Sequence, residues 1–236
     1  MNATVRQALV VENRLPVENP AGGIRLGLVR AEDVDPAGSL PELDAAIQSV
    51  ETGLDARREA LRLAARDMLR NGRYKPTGRG KPASEYLLRT AAEGTFPRIN
   101  AVVDINNLVS VRSALPISLW DLDRAEATHY VFRLGGDGEA YVFNVGGQTL
   151  DLHDLAVGCR KKRDDEAPIV SPIKDSHATK TTPDTRRVAA SIYAPVGLMT
   201  QGELHALCQT FADWLRRCGA EHTRTAVAGP GETVEL

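Results

Sequence analysis

The sequence lacks the long apolar runs and the paired cysteines that would place it at once in a membrane or secreted class. No stretch approaches the roughly 20 apolar residues that a membrane-spanning helix needs, which argues against a transmembrane segment. The 236 residues include only three cysteines, Cys159, Cys208 and Cys218, which are odd in number and widely spaced. The chain also opens without a signal-peptide pattern. We therefore expect a reduced, cytoplasmic protein.

The sequence also lacks a strong excess of either positive or negative residues. Lysine and arginine total 29 against 31 for aspartate and glutamate, so the net charge is −2 and a nucleic-acid partner would need a local basic patch. The composition is that of a globular protein, and no repeat or low-complexity linker divides the chain. We expect one mixed α/β domain over residues 1–222, followed by a flexible tail over residues 223–236.

Familiar catalytic and metal-binding motifs are absent. There is no G-x-S-x-G elbow, no Walker loop and no G-x-G-x-x-G that opens a helix, and the glycines of "GGDGE" and "VGGQT" fit hairpin turns. His153 lies near Cys159, and His205 lies near Cys208, yet no four-ligand set has the paired spacing of a zinc site. We therefore predict neither a metal nor a cofactor.

Several elements can be predicted from periodicity. Alternation predicts a strand over residues 24–30, and helical spacing predicts a helix between residues 43 and 68 that Gly53 could divide in two. Two alternating runs around "GGDGE" predict a β-hairpin over residues 129–147. Ser84 is a candidate cap for a short helix that ends at Gly94. A strand is expected at "VAASIYAPV".

The last predicted element is a helix that starts with a capping box formed by Thr200 and Glu203. It follows a long polar segment, residues 159–187, which has few apolar anchors. Such a segment is usually mobile or functional.

Two basic segments are candidate phosphate contacts, although a solvated loop is the favoured interpretation of each. One is "RYKPTGRGKP" and the other is "CRKKR", which is followed at once by "DDE". The first long loop and the polar segment after it could bring separate cations together. The cations that could converge are Arg73, Lys75, Arg79, Lys81, Lys174 and Lys180. The candidate RNA-binding residues are Arg73, Lys75, Arg79, Lys81, Arg160, Lys161 and Lys162.

The stretch "INAVVDINN" begins as an apolar run and continues into a polar helix. If the helix starts near Asp104, its apolar side carries Ile105, Leu108, Val111 and Leu115. Asn106, Asn107, Ser110 and Ser113 share the opposite arc. Patterning alone favours a solvated face, and the alternative is a cleft where amides orient a polar ligand. Pro116 should end the helix and start a turn, in which Asp121 and Asp123 are equally candidates for capping the backbone and for chemistry.

This region resembles a known family. "RINAVVDINNLVSVRSALPISLWDLD" is similar to the signature of the editing region of the phenylalanyl-tRNA synthetase beta subunit, the B3/B4 domain. "GRGKPASEYLLR" is similar to a segment that precedes the signature in stand-alone forms. The resemblance extends over about residues 22–220. The signature positions shared without a gap are Ile99, Asn100, Val102, Val103, Asp104, Asn107, Pro116, Asp121, Leu122 and Asp123.

The resemblance implies a three-layered α/β fold of the PheT/TilS-like type, with a central β-sandwich of unusual topology flanked by helices. It also implies a pocket for the aminoacyl end of a charged tRNA and a hydrolase that removes a wrong amino acid without a covalent nucleophile. On this basis the candidate catalytic residues are Asn107, Ser118 and Thr182. The candidate substrate-binding residues are Asn106, Ser110, His177, Thr179 and Thr181.

Three positions depart from the family pattern. Ser118 stands where the family has a histidine, Asn106 replaces a threonine, and "VAASIYAP" lacks the glutamate that recognises tyrosine. These departures support a second hypothesis of a different class, a non-catalytic module that binds RNA, a free amino acid or a similar metabolite.

Overall fold

Two β-sheets face each other across the centre of the protein in the computed structural model, which describes residues 7–236. The five-stranded sheet has the order β11-β1-β4-β7-β8, and only the β1–β4 pair is parallel. Its strands are β1 (Val10–Asn13), β4 (His129–Leu134), β7 (Ala156–Lys162), β8 (Asp165–Val170) and β11 (Thr233–Glu235). The four-stranded sheet has the order β10-β2-β9-β3 and is antiparallel throughout. Its strands are β2 (Ile24–Glu32), β3 (Ile117–Asp121), β9 (Arg187–Pro195) and β10 (His222–Ala228). A separate hairpin joins β5 (Ala140–Val142) and β6 (Thr149–Asp151).

The helices are α1 (Pro41–Gln48), α2 (Ala56–Asp67), α3 (Ala83–Ala92), α4 (Ala101–Ser113), α5 (Leu122–Ala125) and α6 (Gln201–Arg217). Helices α1, α3, α4 and α6 form the third layer, on the face of the four-stranded sheet that points away from the other sheet, whereas α2 and α5 contribute residues to the core between the sheets. Helices α1, α4 and α6 pack on the sheet, whereas α3 packs on α4. The mixed α/β class predicted from the sequence is confirmed.

Two hydrophobic cores hold these layers together. Between the sheets, Trp120 packs against Tyr130 and Phe132 at ring-centroid distances of 5.2 and 6.5 Å. Under the helices, Leu204 and other side chains of α6 meet β2 so closely that a Cβ on Gly27 would lie 2.7 Å from the Cys208 sulfur. Only glycine therefore fits at this position.

The most periodic elements were predicted correctly. The strand predicted at residues 24–30 is β2, and "VAASIYAPV" forms β9. The Thr200 hydroxyl and the Glu203 carboxylate form the expected capping box of α6. The predicted long helix is divided into α1 and α2, with Gly53 in the connection between them.

Two local predictions are wrong. The runs around "GGDGE" do not form a hairpin, because β4 pairs with β1 and β7 while β5 pairs with β6. Strand β4 is an interior strand whose partners lie far away in the sequence, so local alternation could not identify them. Ser84 lies inside α3, where it is buried, and Pro82 precedes the helix instead.

The basic run after Cys159 is also more ordered than expected. Residues 156–170 form the β7–β8 hairpin, and the charged side chains pair on the five-stranded sheet. Lys161 lies 3.3 Å from Glu12, and Arg133 lies 3.1 Å from Glu166. Glu12 of β1 and Glu126 therefore pair with the lysines of a run that we interpreted as a solvated loop.

The expected flexible tail is likewise wrong. Strand β10 pairs with β2 from the His222–Glu32 pair to the Ala228–Leu26 pair, and β11 pairs with β1. Leu236, the last residue, is only 3 % exposed and packs in the core between the sheets. These contacts are all distant in the sequence, which explains why the local pattern did not reveal them.

The free edge of β3 is covered by residues 171–185, which we call the cover segment. Pro116 is followed by this strand rather than by the predicted turn. Strand β3 pairs only with β9, so its outer amides need other partners. The Leu119 amide donates to the Asp175 carboxylate at 3.0 Å, and the Ser118 hydroxyl donates to the Ser171 carbonyl at 3.0 Å. Burial raises the pKa of Asp175 to about 6, although the two amides that it accepts favour the charged form.

Removal of residues 229–236 should destabilise the protein substantially. The truncation exposes part of the core and removes the β1–β11 pairing, so we expect the Tm to fall by about 5 °C or more. Thermal unfolding followed by circular dichroism measures the effect. Glu235→Ala, an exposed position on the same strand, serves as the control and should leave the Tm unchanged. An unchanged Tm for the truncated protein would show that the end of the chain is a dispensable tail.

Asp175→Asn should change how stability depends on pH. Because the pKa is raised from 3.8 to about 6, the folded protein holds the proton more tightly than the unfolded chain does. The free energy of unfolding therefore falls as the pH rises from about 4 to about 6, and this loss disappears in the variant. Relative to the wild type, Asp175→Asn should gain on the order of 1–3 kcal/mol between pH 4 and pH 7.5.

Urea unfolding at the two pH values measures this difference. Asp184→Asn in the same segment is the matched control, because Asp184 is exposed. Equal differences from the wild type at both pH values would contradict the assignment.

Candidate functional site

Helix α4 carries most of the predicted site, and its start is fixed by polar side chains. The Asn100 carboxamide oxygen accepts the Val103 amide at 3.0 Å. One turn later, the Asp104 carboxylate accepts the Ile99 amide at 2.8 Å and the Arg98 guanidinium at 2.7 Å. Asp104 therefore stabilises the helix start rather than facing a substrate.

The polar arc of α4 is buried. Asn106, Asn107 and Ser110 are 7, 9 and 1 % exposed, so the solvated face that patterning favoured is wrong. Covered by the sheet on one side and α3 on another, the helix leaves these side chains little access to bulk water. The Ser110 hydroxyl donates to the Leu115 carbonyl at 2.7 Å, which makes it part of the helix end.

Two of the predicted substrate-binding residues carry buried oxygens without a hydrogen-bond partner in the described part of the chain. These atoms are Asn106 Oδ1 and Thr179 Oγ1. The Asn106 amide nitrogen donates to Asn107 Oδ1 at 3.4 Å, a long hydrogen bond. Because buried polar atoms are almost always paired, unpaired acceptors of this kind mark positions that suit a polar ligand.

Ser118 lies apart from the asparagines. Its hydroxyl is fully buried and lies 3.0 Å from both the Ser171 carbonyl and the Tyr193 hydroxyl. Tyr193 belongs to the core between the sheets, whereas Ile105 of α4 belongs to the core on the other face. Ser118 thus anchors the cover segment to β3, and the structure does not bring its hydroxyl to Asn107.

The threonines of the cover segment contact both ends of the predicted site. The Asn100 carboxamide donates to the Thr181 hydroxyl at 3.2 Å, which joins the segment to the start of α4. The Thr182 amide donates to the Thr185 hydroxyl at 2.8 Å, and that hydroxyl donates to the Asp121 carboxylate at 2.5 Å. His177 begins a short 3-10 turn and is half-buried. The segment therefore places Thr181 beside α4 and Thr182 on the side of α5.

The predicted RNA-binding residues are divided between separate places. The Lys161 ammonium binds Glu12, Lys162 binds Glu126 at 2.9 Å, and Arg160 donates to the Ala125 carbonyl at 3.2 Å. Arg73 lies 3.5 Å from Asp137. Burial lowers the pKa of Lys174, and the charges of Arg79 and Lys180 lower it further. Lys75 and Lys81 are exposed beside Arg79 in the sequence.

The thiols are poor candidates for chemistry. All three cysteines are buried and none forms a disulfide within residues 7–236. Burial raises the pKa of Cys159 and of Cys208 to about 12. A thiol with such a pKa is not a nucleophile near neutral pH.

Neither His153 with Cys159 nor His205 with Cys208 belongs to a group of possible metal ligands among residues 7–236. One group of possible metal ligands does occur there, formed by Asp33, Glu221 and His222, whose ligand atoms lie within 4.8 Å of one another. These side chains are exposed, and nothing beside them indicates a bound ion.

Asp175 is the residue of this region that the sequence did not reveal. Its segment is mostly polar and contains a second acid, Asp184, so nothing in the sequence marked Asp175 as the enclosed one. Only the contact between the cover segment and β3 encloses the carboxylate.

Comparison with known proteins matches the residues that form this region. The model of the B3/4 domain family matches residues 76–207, which is more than half of the chain. The phenylalanine–tRNA ligase beta subunit of Synechococcus sp. (strain CC9605) is 26 % identical over an alignment of 201 residues, and the match covers 79 % of this chain and 23 % of that subunit. No helix in residues 7–236 is long and apolar enough to cross a membrane. The match, which runs from before α3 into the first turns of α6, shows that the chain belongs to the B3/4 domain family.

Proposed function

We propose that this protein hydrolyses the ester that joins a wrong amino acid to a tRNA. The similarity to a tRNA ligase subunit supports tRNA as the partner. The observation that carries the proposal is the pair of buried, unpaired acceptors on Asn106 and Thr179. The hydrogen bond between Asn100 and Thr181 supports the proximity of their two elements.

Hydrolysis of an aminoacyl ester requires few catalytic groups. A water oxygen attacks the ester carbonyl, the ribose oxygen leaves with a proton, and the products are a free amino acid and the tRNA. Because an aminoacyl ester is labile, holding a water and the carbonyl in line can replace a strong base. Asparagine suits this task, since its amide donates and accepts hydrogen bonds without charge.

The residues divide between reacting and positioning roles in this proposal. Asn107 orients the water or the ester carbonyl, while Asn106 and Thr179 accept hydrogen bonds from the amino group of the substrate. Thr182 and Thr181 complete the wall on the side of the cover segment. Ser118 acts as a positioning residue, because its hydroxyl is already bound to the Ser171 carbonyl.

One observation favours the second function, a module that binds an amino acid without hydrolysis. Ser118 is fully buried where the family pattern has a histidine, and the described contacts of Asn107 include no acid or imidazole. A pocket with such groups can retain a ligand without activating water.

Asn107→Ala should lower the rate of deacylation by about tenfold or more, because the attacking water or the ester loses its orientation. The measurement is the release of amino acid from a panel of mischarged tRNAs under single-turnover conditions. Ser113→Ala is the matched control, since Ser113 lies on the same helix and its hydroxyl donates to the Val109 carbonyl of its own turn.

Each mischarged tRNA is also incubated with an unrelated protein as a blank, because the ester hydrolyses spontaneously. No acceleration with any tRNA would refute the hydrolase. Stabilisation of the same protein by a free amino acid in a thermal-shift assay would then support the binding module.

A further inference from the structure

Strand β10 is a long sheet edge that no other segment pairs with on its outer side within residues 7–236. The other edges are closed or short. The cover segment closes β3, and it also covers the end of β8, where the Ile169 carbonyl accepts the Ser176 amide beside Pro168, which has no amide hydrogen. Strand β11 has only three residues. Strand β10 has seven, all paired with β2, and contains neither a proline nor a bulge. Natural proteins usually blunt an edge of this kind.

The backbone groups on the outer side of β10 belong to every second residue. The Val196 amide donates to the Gly23 carbonyl, so odd-numbered residues of β2 bond to β9 and even-numbered residues bond to β10. Each pair between β2 and β10 joins two even or two odd numbers, so the even-numbered residues of β10 are the ones that bond to β2. The odd-numbered residues have outward amides and carbonyls without a hydrogen-bond partner in residues 7–236: Thr223, Thr225 and Val227.

Helix α6 places a row of polar side chains beside this edge. The Gln209 carboxamide donates to the Thr225 hydroxyl at 2.9 Å, so Gln209 lies over the middle of β10. His205 and Asp213 lie one turn before and one turn after Gln209 on the same side of the helix, and all three are exposed. The row therefore carries an imidazole at one end, an amide in the middle and a carboxylate at the other end.

We propose that two copies of this chain associate through β10, about a two-fold axis that passes beside Thr225. Antiparallel pairing about this axis joins the two four-stranded sheets into one continuous sheet. It sets Thr225 opposite Thr225 of the second copy and Thr223 opposite Val227, and such β-branched pairs suit adjacent strands. Arg224 lies opposite Ala226, so no like charges face each other across the new pair of strands.

The helices fit the same arrangement. Adjacent strands lie about 4.8 Å apart, and α6 packs over both β2 and β10, so the two copies of α6 would lie about 10 Å apart. Packed helices lie about 8–10 Å apart, so the two helices would be in contact. The axis beside Gln209 sets His205 opposite Asp213 of the second copy, where an imidazole can donate to a carboxylate. The edge and the helix row are thus complementary to themselves, which favours a second copy as the partner.

The inference does not depend on the proposed function. Strand β10 and strand β3 are the opposite edges of the four-stranded sheet, so a dimer through β10 leaves the cover segment and its surroundings open. Deacylation and association are therefore measured separately, and failure of one leaves the other standing.

Sedimentation velocity at concentrations from about 1 to 100 μM tests the proposal, and the wild type should be a dimer at the highest concentration. Thr225→Pro removes an outward amide of β10 but no bond to β2, so it should raise the Kd of the dimer about tenfold or more. Thr225→Val is the matched control. It loses the same hydroxyl contact with Gln209 but keeps the amide and the branched shape, so it should remain a dimer. Thermal unfolding verifies that each variant is folded.

A cysteine at the axis tests the register. Thr225→Cys should give a disulfide-linked dimer on mild oxidation, because directly opposite residues of antiparallel strands lie within the Cα separation that a disulfide spans. The natural cysteines are buried and do not compete. Thr77→Cys, at an exposed threonine before α3, is the control and should stay monomeric in non-reducing electrophoresis.

Three results would overturn the proposal. The first is a wild type that is monomeric at every concentration. The second is a folded Thr225→Pro variant that dimerises as tightly as the wild type. The third is a dimer that does not cross-link through the cysteine at position 225, which would place the contact on another surface.

Discussion

The bond from the Leu119 amide to the Asp175 carboxylate is the contact on which the functional half of the molecule depends. It satisfies the outer edge of β3, which has a strand partner only on the side of β9. An uncovered edge strand exposes unpaired amides and invites pairing with other chains. The fold meets this constraint with the cover segment rather than with another strand. The contact between β3 and the cover segment therefore fixes the position of all residues between 171 and 185 that we assign to ligand binding.

Covering the edge in this way has an electrostatic cost. The Asp175 carboxylate is enclosed between β3 and the loop, so its pKa rises although backbone amides stabilise the charge. The same segment carries Lys174, whose pKa is lowered by burial and by the charges of Arg79 and Lys180. The raised pKa of Asp175 and the lowered pKa of Lys174 are local conflicts between charge and burial, of a kind that is typical of functional regions.

Ser118 shows how the family pattern and this chain diverge. The family's histidine position is occupied here by a hydroxyl that binds the Ser171 carbonyl and Tyr193 inside the core. The side chain therefore supports the cover segment instead of contacting Asn107. In the proposed mechanism, the orientation of water and substrate is therefore assigned to the amides of α4 and the threonines of the segment. This arrangement is consistent with a labile ester substrate, whose hydrolysis requires positioning more than a strong base.

The sequence predicted those elements whose signals are local. The capping box of α6 and the alternation of β2 involve neighbours within one turn or one strand, so propensity and pattern were sufficient. The partners of β4 and the pairing of residues 222–235 are distant contacts, which no local period records. In the candidate site, Asn107 was identified only by its position in the family signature. The burial of Asn106 required knowledge of what packs on α4, because a polar helical arc has the same pattern whether it faces water or a cavity.

Hydrogen–deuterium exchange tests most directly whether the cover segment and α4 together bind the aminoacyl end of a tRNA. The ligand is an acceptor-stem RNA whose 3′ end carries an amino acid through a non-hydrolysable amide. Our account predicts slower exchange over residues 171–185 and the first turns of α4 when this ligand is added. The amide-linked ligand should protect α4 more than the same RNA without the amino acid does. Protection confined to β7 and β8, or no protection anywhere, would contradict the account.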